Sequence, residues 1–395
     1  MAVSPSDSPS SPGRPRAVAP VPAPPARRPA IPVVGPLVDR ASAAAGNLVD
    51  YARHGHLADT TRQPRTTVLE RPGWALHTYD PLPGVEPDGR RPVLLVPPLG
   101  APDFAFDLRR GTSLVEFLLS RGKSVSIVTY ESTWGHGASR GLETWISGIV
   151  PEATRRVSDD HSGAPVHLVG WSLGGLFVLL ADAAARSSDA GPLPAASLTA
   201  VAAPVDVAAV PMVAPFRSVA EYTHGALFTA AYRTLGSWPA TAVRLAFQLT
   251  SVERYLTKPV TLLTHLDDRE LLEQIEAVDL LMSSMSAYPG RAFGQIYHRM
   301  IRLNDLASDA LVLEGRPVRL ADVTVPVLLV AGADDVIAPR RAVERAADLL
   351  AASSDLRFAV EPGGHLGVLT GRRARTHTWR RLVDFLGHHD GRNDG

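Results

Sequence analysis

The chain has 395 residues, 45% of them hydrophobic, with 40 basic and 40 acidic side chains and no cysteine. The balanced charge gives no electrostatic footprint for nucleic acid, and the lack of cysteine excludes disulfides, thiolate metal sites and a cysteine nucleophile. The first residues do not form a secretory signal, and no apolar stretch reads as a transmembrane segment, so we expect a cytoplasmic protein.

The amino-terminal part is compositionally distinct from the rest. Residues 1 to about 35 are rich in Pro, Ser, Ala and Arg, with almost no large apolar side chains. Such a segment cannot bury enough surface to offset the entropy of ordering. We therefore predict a disordered leader over residues 1–62, interrupted by one short helix from Val38 to Ala52.

From Val68 onwards, apolar runs typical of strands alternate with runs typical of helices. The predicted strands are Trp74–Tyr79, Val93–Val96, Val125–Tyr130, Val166–Val169 and Leu198–Ala202, and the predicted helices are Ser113–Ser120, Gly141–Val157 and Leu176–Ala185. This alternation over residues 63–206 predicts an α/β fold, a mostly parallel sheet with helices on both faces. The active site of such a sheet lies beyond the carboxyl ends of its strands.

The segment Gly170-Trp171-Ser172-Leu173-Gly174 lies between a predicted strand and a predicted helix. The glycines leave room for a sharp turn that exposes the serine hydroxyl, as in the nucleophile elbow of serine hydrolases. The five-residue pattern alone is a weak signal. The alternative is a turn serine between two packing glycines.

The alternation stops between Val207 and Arg319. Helical pieces are predicted there, separated by Pro211, Pro215, Pro239, Pro259 and Pro289. A helical insertion between two strands of such a sheet predicts a cap over the active site, which we place at residues 207–318. Its apolar residues either line a substrate pocket or pack the cap onto the core: Phe216, Leu227, Phe228, Leu245, Phe247, Leu280, Leu281, Met282 and Met285.

The core resumes at residues 319–390, ahead of a tail at 391–395. Its predicted elements are a strand at Val325–Gly332, a helix at Arg341–Ala352 and a strand at Leu356–Val360. Asp334 and Asp335 follow the first strand, and His365 lies in a glycine-rich loop after the second. An acid and a histidine thus both follow strands of the predicted sheet.

These residues have the types that activate a serine. A histidine can take the proton of the hydroxyl and return it to the leaving group, and a carboxylate fixes the histidine tautomer. We predict Ser172 as nucleophile, His365 as base and acid, and Asp335 as the orienting acid. Asp334 and Asp206 are the alternatives for the acid. The order Ser, Asp, His along the chain is that of α/β-hydrolases.

The other histidines compete poorly for the role of base. His167 lies within a predicted strand and is expected to be a packed core residue, whereas His388 and His389 lie in a polar tail. We predict no cofactor and no metal ion.

A tetrahedral intermediate needs backbone donors aimed at its oxygen. The amide of Leu173, the residue after the nucleophile, is one predicted donor. Pro97 and Pro98 have no N–H, so Leu99 or Gly100 must supply the other, and we favour Leu99. The alternative is that the prolines simply end a strand.

Several segments together resemble the polyhydroxyalkanoate synthase family of the α/β-hydrolase superfamily. They are Val96-Pro97-Pro98, Asp107-Leu108 with Ser113-Leu114-Val115, Gly170–Gly175, Asn304 with Leu306, Gly315–Leu320, Val325–Pro339, and Gly364-His365 with Gly367. The likeness implies the α/β-hydrolase fold with an inserted helical cap and the same triad positions. The departures are at Ser172, where family synthases carry cysteine, and at Leu99, Gly100, Leu281 and Arg340.

A serine adduct with an acyl group is an oxoester, which water assisted by His365 would release as the acid. We therefore predict a serine esterase or thioesterase acting on a small-molecule or polymeric acyl ester or thioester, aliphatic or 3-hydroxyacyl. The alternatives are an acyltransferase resembling a polyhydroxyalkanoate synthase that uses acyl-coenzyme A, and a non-enzymatic protein that binds granules or a partner. The oligomeric state stays open, a homodimer included.

Overall fold

The computed structural model describes residues 35–131, 139–213, 237–238 and 252–391. Eight strands of this part form one sheet. They are β1 (Arg65–Arg71), β2 (Trp74–Tyr79), β3 (Val93–Val96), β4 (Val125–Tyr130), β5 (Val166–Trp171), β6 (Ala195–Val201), β7 (Val327–Gly332) and β8 (Leu356–Glu361). Their spatial order is β1-β2-β4-β3-β5-β6-β7-β8, and β2 runs antiparallel to both of its neighbours. The other neighbouring pairs are parallel, as the alternation of predicted elements requires.

Helices follow or connect these strands. They are α1 (Gly35–His54), α2 (Leu114–Leu119), α3 (Val150–Asp160), α4 (Leu173–Arg186), α5 (Val252–Thr264), α6 (Arg269–Ser283), α7 (Gly290–Gln295), α8 (Arg340–Leu349), α9 (Gly367–Thr370) and α10 (Thr378–His388). A π-helical turn precedes α3, so Pro151 lies in the first turn of a helix that restarts, where the missing N–H of proline costs little. A second π-helical turn extends α7.

The central strands are the most apolar and the most buried. Every residue of β3, β5 and β7 is buried, which explains why their apolar runs were readable in the sequence. β1 differs, because most of its side chains are exposed at the edge of the sheet. No apolar run marks such a strand, and the predicted alternation of strands and helices begins only at Val68.

The segment predicted as a cap, which we continue to call the cap, lies between β6 and β7. Its described helices are α5, α6 and α7, and Pro259 lies inside α5 rather than between two helices. Proline removes one backbone hydrogen bond, yet the turns on both sides of it remain helical. Leu281 and Met285 are buried, Met282 is half-buried and Leu280 is exposed. The predictions for Pro215, Pro239, Phe216, Leu227, Phe228, Leu245 and Phe247 lie outside the described residues.

Polar contacts fix α1 to the cap. Arg40 pairs with Asp267 at 2.6 Å, and the Asn47 amide donates to the Leu266 carbonyl at 2.8 Å. Asp50 pairs with Arg269 at 2.5 Å. The large apolar side chains of this helix, among them Leu48, Val49 and Tyr51, are exposed. The helix is therefore longer than predicted and docks through its polar side.

Asp390 belongs to a buried cluster of charged side chains at the amino ends of the strands. Asp390, directly beyond α10, has a side chain that is 1% exposed and accepts from Lys123 Nζ at 2.6 Å. Its other oxygen lies 3.3 Å from His167 Nε2, whose Nδ1 lies 2.7 Å from Ser197 Oγ. Lys123 also pairs with Asp88 at 2.8 Å. Residues up to Asp390 thus belong to the packed core, and His167 is the core residue that was predicted.

Asp107 explains one of the segments that resemble the synthase family. Its buried carboxylate accepts from Ser113 Oγ at 2.6 Å and from the backbone N–H of Gln63 at 2.7 Å. Ser113 in turn caps α2 by accepting from the Glu116 amide at 2.9 Å. The spacing of Asp107 and Ser113 therefore serves the attachment of the residues around Gln63 to the core.

We expect Asp107→Ala to lower the free energy of unfolding by about 2 kcal/mol, because two buried donors lose their acceptor. Chemical denaturation followed by circular dichroism measures this change. Asp189→Ala removes a carboxylate that is 98% exposed and should stay within about 0.5 kcal/mol of the wild type. Equal stabilities of the two variants would contradict the assignment.

Candidate active site

Ser172 lies on the sharp turn between β5 and α4. Its backbone has φ 55° and ψ −123°, a conformation that residues other than glycine rarely adopt. A methyl group at Gly170 would lie 2.2 Å from the Gly174 carbonyl oxygen, and one at Gly174 would lie 2.1 Å from the Val96 oxygen. The glycines are therefore needed for the close approach of three backbone segments around the serine.

Asp335 is held rigidly in the loop after β7. Its Oδ1 accepts hydrogen bonds from the backbone amides of Ile337 and Ala338, both at 2.8 Å. The side chain is buried, and Oδ2 is left to face the ring of His365 at 2.9 Å from Nδ1. Asp334 is exposed, and its backbone N–H donates to the Gly363 carbonyl. The structure thus brings Asp335 to the histidine.

His365 lies between the acid and the serine. Its Nε2 is 2.8 Å from Ser172 Oγ, and its side chain is 6% exposed. Because a carboxylate only accepts, Nδ1 donates to Asp335 and Nε2 accepts from the serine hydroxyl. The three predicted side chains therefore form one continuous hydrogen-bonded chain.

Trp171 holds the histidine from the elbow itself. Its indole Nε1 donates to the backbone carbonyl of His365 at 3.0 Å, and the two ring centroids are 5.4 Å apart. The sequence alone gives Trp171 no role, because the elbow pattern allows any side chain directly before the serine. The only available signal was a bulky donor next to the predicted nucleophile.

Asp206, the other alternative for the acid, accepts hydrogen bonds at the start of the cap. Its Oδ1 accepts from the Ala208 amide at 3.0 Å and from Asn304 Nδ2 at 2.8 Å. Asn304 Oδ1 in turn accepts from the Val207 amide at 3.0 Å. This pair ties the two ends of the cap together, which gives Asn304 a structural role.

The predicted oxyanion donors lie on two facing segments. Leu173 is the first residue of α4, so its amide has no acceptor within the helix. Leu99 lies in the loop after β3 and is 2% exposed. The neighbouring Gly100 has φ 79°, and its carbonyl accepts from the amide of Ser286 in the cap at 2.7 Å.

Two half-buried tyrosines lie against the loop after β3. The Tyr130 hydroxyl donates to the Pro97 carbonyl at 3.3 Å, and the Tyr288 ring abuts Gly100. Burial raises the pKa of both Tyr130 and Tyr288 above the usual value, so both stay neutral. Neutral phenols add no charge next to the candidate site.

One group of side chains in the described part of the chain has metal-ligand types close together. Asp355, His388 and His389 each offer one ligand atom, and these atoms lie within 4.8 Å of one another. Asp355 already accepts from Arg357 and from His389 Nε2 at 3.0 Å. A cation would have to displace the guanidinium, and we assign no metal to this cluster.

Comparison with known proteins agrees with this architecture. A sequence model of the alpha/beta hydrolase family matches residues 93–379, and the chain belongs to this family. It is similar to the poly(3-hydroxyalkanoate) polymerase subunit PhaC of Allochromatium vinosum, with 24% identity over 354 residues that cover 86% of this chain and 95% of that protein. PhaC of Cupriavidus necator is 28% identical over 322 residues, or 78% of this chain and 52% of that protein.

Among solved structures, a putative non-heme bromoperoxidase, BpoC, of Mycobacterium tuberculosis aligns with a TM-score of 0.47 and 16% identity, over 82% of this chain and 98% of that one. The family match and the similar curated proteins support an enzyme of the acyl-transferring, hydrolase-like type. Within the described ranges, no helix is both long and apolar enough to cross a membrane.

Proposed function

We propose that the protein is a serine hydrolase, an esterase or thioesterase that works through an acyl-enzyme on Ser172. The observation that carries the proposal is the hydrogen-bonded chain from Asp335 Oδ2 through the His365 ring to Ser172 Oγ, with links of 2.9 and 2.8 Å. Each link lies within hydrogen-bond reach, so the proton of the serine has a path to the imidazole.

The proposed reaction has two halves. Ser172 Oγ attacks the acyl carbonyl while its proton moves to His365 Nε2, and the amides of Leu173 and Leu99 stabilise the oxyanion. The imidazolium then protonates the alcohol or thiol as it leaves, and Asp335 stabilises the imidazolium meanwhile. In the second half His365 removes a proton from water, and the resulting hydroxide attacks the ester on Ser172. The imidazolium then returns this proton to Ser172 Oγ as the bond to the acyl group breaks and the acid leaves.

The proposed substrate class is supported by the relatives. The similar curated proteins are poly(3-hydroxyalkanoate) polymerase subunits. We therefore propose an aliphatic acyl or 3-hydroxyacyl group as the acyl part of the substrate, whereas Leu281 and Met285 pack the cap onto the core. The adduct on Ser172 is an oxoester, which water assisted by His365 can release as the acid.

Covalent labelling tests the nucleophile directly. A fluorophosphonate should add one adduct to the wild type by intact mass, and peptide mapping should place the adduct on Ser172. Ser172→Ala should stay unlabelled. Ser187→Ala, at the opposite end of α4 and exposed, should be labelled like the wild type. A wild type that takes no label, or a label that persists in Ser172→Ala, would refute the proposal.

An acyltransferase is the second candidate, favoured by the likeness to PhaC over 86% of this chain. Incubation with 3-hydroxybutyryl-coenzyme A separates the two candidates by their products. Release of coenzyme A with free 3-hydroxybutyrate supports the hydrolase. Esters of two or more hydroxyacyl units would instead support transfer to a growing chain.

A further inference from the structure

The loop that carries Leu99 is held between the elbow and the cap. On the elbow side, a methyl group at Gly174 would lie 2.1 Å from Val96 O and 2.8 Å from Pro97 C, so the backbones of α4 and the loop touch. On the cap side, the Ser286 amide donates to the Gly100 carbonyl at 2.7 Å. The two contacts fix the loop at both of its ends.

Tyr288 adds a contact to the backbone of Gly100. A methyl group built on Gly100 would lie 2.2 Å from Cε1 of the tyrosine, so the ring occupies the space that any other residue would need. Gly100 also has φ 79°, which glycine adopts without strain. The absence of a side chain at this position thus serves the close approach of the cap residue.

Few torsions remain free between the two fixed ends. Pro98 has its φ set by its ring, and the peptide planes are rigid. The direction of the Leu99 N–H therefore depends on where the carbonyl and the α-carbon of Gly100 are held. Both of these atoms are held by the cap.

We propose that Ser286 and Tyr288 are positioning residues, through which the cap sets the direction of the Leu99 amide at the oxyanion site. The inference rests on the proposed function, because it requires an oxyanion to form at Ser172. The cap then does more than cover the substrate: the site that stabilises the intermediate is complete only when residues 286–288 lie against the loop.

A mispositioned donor weakens the transition state more than the bound substrate, because the oxyanion exists only after attack. Loss of a whole oxyanion donor costs about 10²–10³ in kcat, so loss of its positioning should cost about 10–100-fold. KM should change little.

The test compares variants of the full chain on a short-chain p-nitrophenyl ester. Tyr288→Ala removes the contact and should lower kcat about 10–100-fold with KM within about threefold of the wild type. Tyr288→Phe keeps the ring and should restore wild-type kcat. Tyr288→Leu keeps buried volume without the ring edge, should behave like Tyr288→Ala, and serves where the alanine variant does not fold.

Leu272→Ala is the matched control for a general loosening of the cap. Leu272 is buried in the first turn of α6, and Ser283 ends this helix about 16 Å away, next to residues 286–288. Leu272→Ala should lower the melting temperature without lowering kcat. Unchanged kcat in Tyr288→Ala and Tyr288→Leu, an equal loss in Leu272→Ala, or a change in KM alone would overturn the inference. A wild type with neither turnover nor fluorophosphonate label would instead refute the proposed function, and the inference with it.

Discussion

Asp335→Asn is expected to lower kcat for ester hydrolysis about 10⁴-fold while the protein stays folded. The asparagine carbonyl oxygen can still accept from the amides of Ile337 and Ala338, so the loop keeps its shape. The side-chain NH₂ would then donate to His365 Nδ1, which forces the proton onto Nε2. That nitrogen would donate to Ser172 Oγ instead of accepting from it, and the general base would be lost.

Steady-state kinetics with a p-nitrophenyl ester measures this loss, and circular dichroism checks the fold. Asp334→Asn changes the exposed neighbouring carboxylate and should keep kcat within about twofold of the wild type. Asp206→Asn, which can still accept from Asn304, is a second control. A large loss in Asp334→Asn with an active Asp335→Asn would reverse the assignment of the acid.

Asp390→Ala is expected to lower the free energy of unfolding by about 3 kcal/mol, because a buried ion pair loses one partner. Lys123, whose side chain is 4% exposed in the wild type, would keep Asp88 as its counter-ion but lose Asp390, and His167 Nε2 would lose its acceptor. Urea denaturation measures the change.

Asp88→Ala provides the matched control, since it removes the other carboxylate from the same Lys123. Asp88 is 22% exposed, so its loss should cost less than about 1 kcal/mol. A larger loss in Asp88→Ala than in Asp390→Ala would show that the surface pair, not the buried one, carries the stability.

The same cluster sets how stability depends on pH. Burial lowers the pKa of His167, and its hydrogen bond and charge interaction with Asp390 only partly oppose this. Burial alone would raise the pKa of Asp390, but hydrogen bonds and charge from His167 and Lys123 outweigh it and lower that pKa.

A pKa that is lower in the folded state gives stability that is complete above the unfolded value and is lost as the pH falls through the folded one. Acidification should therefore weaken the wild type below about pH 6.5 through His167 and below about pH 3.9 through Asp390. Asp390→Ala lacks the second decline.

The central strands β3, β5 and β7 were predictable because they are buried on both faces and appear as continuous apolar runs. β2, β3 and β4 were predicted with the bounds that the structure gives. β1 was not fully recognised, because an exposed edge strand carries no such run. The docking of α1 could not be predicted from the sequence either, since it depends on ion pairs between residues more than 200 positions apart.

The placement of the site could be predicted only as far as chain order and strand ends allow. Ser172, His365 and an acid after β7 follow from the pattern, whereas the choice between Asp334 and Asp335 depends on which carboxylate the amides of Ile337 and Ala338 hold. Trp171 and Tyr288 make their contacts with the site through space, to the His365 carbonyl and to Gly100, and the sequence pattern does not predict these contacts. The catalytic roles of all these residues remain predictions.

The position of the cap also has a consequence for how the protein is made. Asp335 and His365 follow β7 and β8, the two strands that the ribosome delivers after the whole insertion. A nascent chain can therefore fold the elbow while the Ser172 hydroxyl still has no imidazole beside it. The proposed triad is therefore complete only when β7 and β8 have joined the sheet.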